Sequence, residues 1–331
     1  VATTPVAAAD APWNTMQLVQ MKDAFGTQLL TGPGYEIANL VPLYGGQFGL
    51  DAMRSPANSP QFTAVSVGTA GTGNYQFSTY FPFEFAKGYG VISGANAALL
   101  PVLQVNMAAS ATVLTTPTTT LPTLAETVDS DFYWLPNVPT DPPGIGTTCQ
   151  WIFQPSNPTI SAGASTVVQL PRLGGYLNMI ILELRGTTGL RVTEVAGSDE
   201  GWPVRPKLLV DGVPILDTLF STLAEDLAIS TGIGAAAGNT QTVVGAAANA
   251  GTIPVPRPSG TIGINYKNSL SQRDLGLMDT GETYLSTNPG TQLELAGYPW
   301  GAHAANGPNT LNAIVGQIVP SGALIQGLPE V

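Results

Sequence analysis

Short apolar runs at a period of two, separated by Gly, Pro, Asn and Asp, recur along this chain and predict many short strands joined by tight turns. The densest group lies between Ser165 and Leu216: STVVQLPRLGGYLNMIILELRG, a short insert, then KLLVDGVPIL. Met179 to Leu184 and Lys207 to Val210 read as strands. Asp211-Gly212, between Val210 and Val213, predicts a tight hairpin, because a primed turn needs φ > 0 at its centre. In the first half, Trp13 to Met21 reads as a strand and Asp23-Ala24-Phe25-Gly26 as a type I turn. Strands are also predicted at Phe62 to Val67, Gly90 to Ile92, Leu99 to Met107 and Asp131 to Leu135. Phe77, Thr79, Phe81, Phe83 and Phe85 share one face of another, with Pro82 marking it as an edge or a bulge. In the second half, Ile262 to Tyr266, Leu275 to Met278, Gln292 to Leu295 and Thr310 to Val319 follow the same pattern.

One segment has helical spacing. Leu216, Leu219, Phe220, Leu223 and Leu227 fall at i, i+3, i+4, i+7 and i+11, which predicts an amphipathic helix over Ile215 to Ile229. Tyr35 to Tyr44 is an apolar stretch broken by Pro42. Residues 1–12 read as a flexible arm, and Ala235 to Gly251 as an Ala/Gly/Asn-rich loop. PNVPTDPPGIG, Pro136 to Gly146, is the best linker, because its prolines resist sheet pairing.

The two halves match in order. Asp23 aligns with Asp211, each after an apolar strand carrying a Lys and before a turn glycine and an apolar pair, Leu29-Leu30 or Ile215-Leu216. Phe81-Pro82-Phe83 then matches Ile264-Asn265-Tyr266, and Gly90-Val91-Ile92 matches Gly276-Leu277-Met278. Asn96 with Leu103-Gln104-Val105 matches Asn288 with Leu293-Glu294-Leu295. Phe132 to Leu135 before Pro136 matches Val315 to Val319 before Pro320. The offset stays at roughly 180 to 190 residues, about the size of one domain. A duplicated all-β unit with short strands and Gly/Pro turns predicts two β-sandwiches.

This arrangement resembles the double jelly-roll major capsid protein of tailless, membrane-containing icosahedral viruses, with tectivirus-like phages as the nearest picture. The resemblance is carried by VVQLPRLGGYLNMIILELRG, by LLVDGVPIL running into the helix, and by the paired pattern at Phe83 to Val105 and Tyr266 to Leu295. It covers most of Trp13 to Pro320 as a pattern, without an invariant signature. It implies an all-β chain of two tandem antiparallel jelly-roll β-sandwiches, with one short amphipathic helix in the second. The expected boundaries are 1–136 for the first roll, 137–150 for the linker and 151–331 for the second roll. The resemblance also implies homotrimers of pseudo-hexagonal outline tiling a shell over an internal membrane.

Composition sharpens the functional classes. Of 331 residues, 44% are hydrophobic and only 10% charged, against about 25% charged in average soluble domains. Such a surface suits broad contact with other protein. The net charge is −11, with 11 Lys and Arg against 22 Asp and Glu. No basic cluster offers a footprint for a phosphate backbone, so direct nucleic-acid binding is not expected. The single cysteine, Cys149, permits no intrachain disulfide. No apolar run is long enough for a membrane-spanning helix.

No catalytic, cofactor or metal residue is assigned. His303, the sole histidine, sits in the loop GAHAANGPN, and without it no nucleophile–base set can be drawn. Cys149 reads as an inert thiol near Trp151. Asp129/Asp131, Asp199-Glu200, Glu225-Asp226 and Asp274/Asp279/Glu282 are the acidic groups that calcium or glycoside hydrolysis would need, and they read as solvated acids. Gly68, Gly71 and Gly73 imitate a phosphate loop but lack the following Lys, and read as a hairpin tip. The expected function is therefore structural: a virion capsid subunit, not an enzyme, whose partners are itself and vertex and membrane-associated virion proteins. The alternative is a secreted carbohydrate-binding or adhesive β-sandwich, with the Phe77 to Phe85 row as a sugar platform. The opening strands of the second half have no counterpart before Asp23, which leads us to expect roughly 20 to 50 upstream residues in the intact gene product, the alternative being strands supplied by a neighbouring subunit or replaced by the arm Val1 to Pro12.

Overall fold

The computed structural model describes residues 10, 13–23, 26–45, 61–65, 72–76, 101–109, 112, 147–155, 160–161, 163–170, 174–192, 201–231, 233–238, 255–266, 285–287, 290–301 and 308–320. Most of these are in strands. β1 (Met16–Lys22) and β2 (Gln28–Gly32) form the first hairpin, followed by β3 (Gln61–Val65), β4 (Thr72–Gln76) and β5 (Val102–Met107). The second half contributes β6 (Thr147–Pro155), β7 (Thr166–Gln169), β8 (Tyr176–Gly186), β9 (Lys207–Val210), β10 (Val213–Asp217), β11 (Ile233–Gly238), β12 (Val255–Pro258), β13 (Thr261–Asn265), β14 (Leu285–Ser286), β15 (Leu293–Gly297) and β16 (Pro308–Pro320).

The hydrogen bonds between these strands define the topology. One sheet runs β13-β8-β16-β6-β2-β1-β5, with β14 also on β8, and a four-stranded sheet runs β10-β9-β15-β7. From β6 onward, the strands β6, β7, β8, β9, β10, β13, β15 and β16 obey a simple rule. In chain order, the first, eighth, third and sixth lie together in one sheet, and the second, seventh, fourth and fifth in the other. That is the order of an antiparallel jelly roll.

The predicted hairpin forms as expected. β9 and β10 pair antiparallel from Val210↔Val213, with Asp211 at φ 50° and Gly212 at φ 78°. Two successive residues at positive φ make the primed turn whose twist suits a two-residue hairpin. In the first half, the Gly26 N–H donates to the Asp23 carbonyl at 3.1 Å and the Thr27 N–H to Asp23 Oδ1 at 2.7 Å. The Asp23 turn thus closes the β1–β2 hairpin, with Gly26 at φ 83°.

Several expected boundaries shift. The helix occupies Phe220–Thr231, not Ile215 to Ile229, because Val213 to Asp217 are used as β10 against β9. Ladder pairing outcompetes helical spacing at the start of that segment. β6 begins at Thr147, inside the segment read as linker, while 137–146 lie outside the described residues. Ala235 to Gly238 belong to β11, paired in parallel with β12, rather than to a loop. Trp13 to Thr15 form a 3₁₀ turn, so the first strand starts at Met16. β3 and β4 pair antiparallel from Val65↔Thr72, with Gly73 inside β4 opposite Ala64 rather than at a hairpin tip, while Gly68 and Gly71 lie outside the described residues. The expected strands at Phe77 to Phe85, Gly90 to Ile92, Asp131 to Leu135 and Leu275 to Met278 lie outside the described residues.

A second helical segment was not expected. Tyr35–Leu40 is a π-helical turn that continues as a short α-helix, α1 (Val41–Gly45). We label the Phe220–Thr231 helix α2. Ile37, Leu40, Val41 and Tyr44 have helical spacing and are all buried. This segment lies against the eight-stranded sheet: a Cβ on Gly263 of β13 would meet Tyr44 Cδ1 at 2.9 Å and Leu227 Cδ1 of α2 at 3.3 Å. Only a glycine leaves room for both helices at that spot. Alternation then sends the even positions of β8, including Ile180, Leu182 and Leu184, to the opposite face. They too are buried, in one core with Val168, Leu208, Leu293 and Leu295 of the four-stranded sheet.

The internal repeat is visible in the pairing. In the first half the order is β2-β1-β5, and in the second it is β10-β9-β15. Met21 pairs with Leu103 and Val19 with Val105, while Val210 pairs with Leu293 and Leu208 with Leu295. The two aspartate hairpins and the returning strands at Leu103 to Val105 and Leu293 to Leu295 therefore hold the same places in topology, while Phe81 to Phe83, Gly90 to Ile92 and Phe132 to Leu135 lie outside the described residues. Each hairpin also runs into a helical segment, at Tyr35 and at Phe220. The halves are joined by β2, which pairs in parallel with β6 at Leu30↔Trp151 and Thr31↔Ile152.

Candidate functional site

The residues singled out from sequence do not converge on a site among the described residues. Cys149 lies on β6 with its backbone opposite Ile318 of β16. Glu225 and Asp226 are exposed on α2, away from its buried Phe220, Leu223 and Leu227. His303, Asp129/Asp131, Asp199-Glu200, Asp274/Asp279/Glu282 and the Phe77 to Phe85 row fall outside the described residues. Among the described residues, no group of three or more His, Cys, Asp or Glu could hold a metal ion.

What does converge is a buried charge cluster that joins the two halves. Glu183 and Arg185 lie two apart on β8, so both side chains stand on the face that meets the Tyr35–Leu40 turn. Arg185 Nη1 donates to Asp10 Oδ2 at 2.9 Å, and Nη2 to Glu36 Oε1 at 3.0 Å. Its Nε donates to Glu183 Oε2 at 3.0 Å, and its Nη2 also sits 2.9 Å from Glu183 Oε1. Asn312 of β16 donates a further bond to Glu183 Oε2 at 3.0 Å. Arg191 Nε reaches Asp10 Oδ1 at 2.9 Å, and its guanidinium lies 4.6 Å from the Tyr35 ring centre. Asp10 thus ends the expected flexible arm in a two-arginine clasp. Trp13 packs edge-on against Tyr35 at 6.2 Å.

The electrostatics follow from burial. The cluster holds three carboxylates and two guanidiniums. Burial, then repulsion from Glu183, pushes the Glu36 carboxyl up to about 8, against the opposing pull of Arg185. With Glu36 protonated, the two arginines balance Asp10 and Glu183. Burial draws Arg185 down, but Glu183, Asp10 and Glu36 together hold it above its ordinary value. Arg191 is likewise held high, with Tyr35 and Asp10 outweighing its burial. Burial pushes the Tyr35 hydroxyl well up. A buried acid pair with one raised member has the chemistry of a general acid. Here, however, Glu183 has no exposed surface and Glu36 almost none, so no substrate atom reaches either. The cluster works as a fastener, holding the first-half turn onto the second-half sheet.

One sequence signal could have revealed it. LELRG places a glutamate and an arginine inside the most apolar strand of the chain, and charges there must be paired. Their partners, at positions 10 and 36, were not foreseeable from local pattern.

No protein-family model matches the sequence, and no curated protein matches it. Solved structures similar to the chain include the STIV MCP, at 11% identity over 98% of this chain and 85% of that one, with a TM-score of 0.46. Another is the PBCV-1 virus capsid, at 11% identity over 94% and 82%, TM-score 0.48. A third is the major capsid protein P2 of bacteriophage PM2, at 12% identity over 97% and 90%, TM-score 0.38. These are viral capsid structures, the class that the paired strand pattern resembles. All lie below a TM-score of 0.5, and the jelly-roll order from β6 onward is read from this chain's own hydrogen bonds.

Proposed function

We propose that this chain is a structural virion protein, a major capsid subunit that forms pseudo-hexagonal trimers and tiles an icosahedral shell, with no catalysis of its own. Residues 1–136 and 151–331 are the two rolls in this reading, and the segment between them ends as the start of β6. The observation that carries the reading is the parallel pair of β2 and β6. It sets one repeat beside the next by an edge-to-edge, head-to-tail contact, and contacts of this kind close into rings when repeated by rotation. The low charge supports it, since broad neutral surfaces suit subunit packing. The partners in this reading are further copies and the vertex and membrane-associated proteins of the virion.

Native mass spectrometry of the purified chain tests the reading. The expected species is three times 34.2 kDa. A monomer that binds a sugar or calcium stoichiometrically would establish the adhesive β-sandwich instead.

A further inference from the structure

We infer that Asp211-Gly212 is a latent covalent modification site, an aspartate-to-isoaspartate isomerisation held closed by the main-chain N–H of Gln292.

Asp211-Gly212 is the one Asp-Gly pair in the chain. Glycine leaves the following amide nitrogen unhindered, so this dipeptide closes on itself more readily than other aspartyl pairs. Both residues are exposed, and a Cβ built on Gly212 would meet nothing within 4 Å. Steric crowding therefore gives no protection. In the reaction the Gly212 nitrogen bonds to Asp211 Cγ, and the carboxyl hydroxyl departs with the amide proton as water. A five-membered succinimide results. Water then adds back and breaks one of two bonds. Cleavage at the side-chain carbonyl restores aspartate, and cleavage at the main-chain carbonyl gives isoaspartate.

The fold holds the reacting atoms apart. The β9–β15 ladder ends at Val210↔Leu293. One step further, the Asp211 N–H donates to the Gln292 carbonyl at 2.8 Å, and the Gln292 N–H donates to Asp211 Oδ1, also at 2.8 Å. A regular strand would accept this second bond on its own carbonyl. At φ 50° the Asp211 main chain has left the strand path, and the carboxylate accepts instead. The strand order β10-β9-β15 gives this bond its direction. Gln292 draws the carboxylate toward β15, while Gly212 leads away toward β10. Ring closure requires the carboxylate to leave Gln292 and swing across the turn. A hydrogen bond to a carboxylate is among the stronger ones a protein makes, and it opposes that swing. Once formed, isoaspartate routes the main chain through Cβ. It lengthens the turn by one carbon and breaks the pair of positive-φ residues on which a two-residue hairpin depends. β10 pairs with β9 alone among the described residues, so β10 is the strand that loosens.

The test is site-resolved peptide mapping of the full chain incubated at mildly acidic pH below its melting temperature. Isoaspartate is read by isoaspartyl methyltransferase labelling and by fragmentation of the peptide carrying position 211. Isomerisation there should be about tenfold or more slower in native buffer than in urea that unfolds the chain. Gln292→Pro removes the donor N–H just before β15, where proline is tolerated, and keeps the carbonyl. With its fold checked by circular dichroism, this variant should isomerise about tenfold faster than the parent. Gln292→Ala keeps the N–H and should match the parent. Equal rates in native buffer and urea, or a folded Gln292→Pro at the parental rate, overturn the guard. Should the proline variant unfold, the parent decides alone. In urea below its unfolding transition, the rate should rise in step with hydrogen exchange at the Gln292 amide, and a rate that rises without that exchange overturns the guard.

Discussion

Arg185 of β8 and Glu36 of the Tyr35–Leu40 turn lie 3.0 Å apart across 149 positions of sequence. The same guanidinium holds Asp10 and Glu183, so one side chain gathers an N-terminal residue, a helical turn and the second-half sheet. Its loss leaves three carboxylates close together in a buried space. Breaking a buried pair by removing one partner costs about 3–5 kcal/mol, while replacing a whole buried set by apolar groups is often near neutral. We therefore expect Arg185→Met to cost about 3–5 kcal/mol. Combining it with Glu183→Met and Glu36→Gln should recover most of that loss in denaturant titrations. Equal stability of the single variant and the parent would show that the cluster carries no net weight.

The proton on Glu36 gives the fastener a pH dependence. Its carboxyl moves from an ordinary 4.5 to about 8 in the folded chain, chiefly through burial. A folded value raised above the unfolded one contributes stability that is complete below the unfolded value and lost as pH rises through the folded value. Melting temperature should therefore fall between about pH 4.5 and pH 8 and continue down until Glu36 is fully ionised. Glu36→Gln keeps a neutral side chain of the same shape, and its melting profile should be flatter over that window. Parallel profiles for the two proteins would remove Glu36 as the source.

Gly212 has room around it, since a Cβ there would meet nothing within 4 Å. The whole cost of Gly212→Val is thus backbone strain at φ 78°. A β-branched residue held in that region costs about 1–3 kcal/mol. The variant's melting temperature should fall accordingly, and Gly212→Asn should be milder, because Asn tolerates the left-handed region. An unchanged Gly212→Val would mean that the hairpin readily adopts another turn.

Cys149 and His303 have no assigned chemistry in this reading. The double variant Cys149→Ala, His303→Ala should express, fold and assemble as the parent does, by sedimentation and electron microscopy. A hydrolytic activity present in the parent and absent from this variant would replace the structural reading with an enzymatic one.

Local chemistry in the sequence determined the hairpins, the strand-rich class and the order of the repeat. Asp211-Gly212 needs only its own two residues to turn, and Asp23 needs only Gly26 and Thr27 to close its loop. The match of Leu103 to Val105 with Leu293 to Leu295 was readable because both strands return onto the first strand of a hairpin and keep the same apolar face. The tertiary structure alone decided the rest. The Tyr35 to Gly45 segment has helical spacing at Ile37, Leu40, Val41 and Tyr44, yet it is buried nearly all round, so no polar face announced it beside Pro42. The start of α2 was decided by β9, which draws Val213 to Asp217 into a ladder despite their place in a helical pattern. The charge cluster was decided by distance in space: Glu183 and Arg185 advertise a need for partners, and only the folding of positions 10 and 36 onto β8 supplies them.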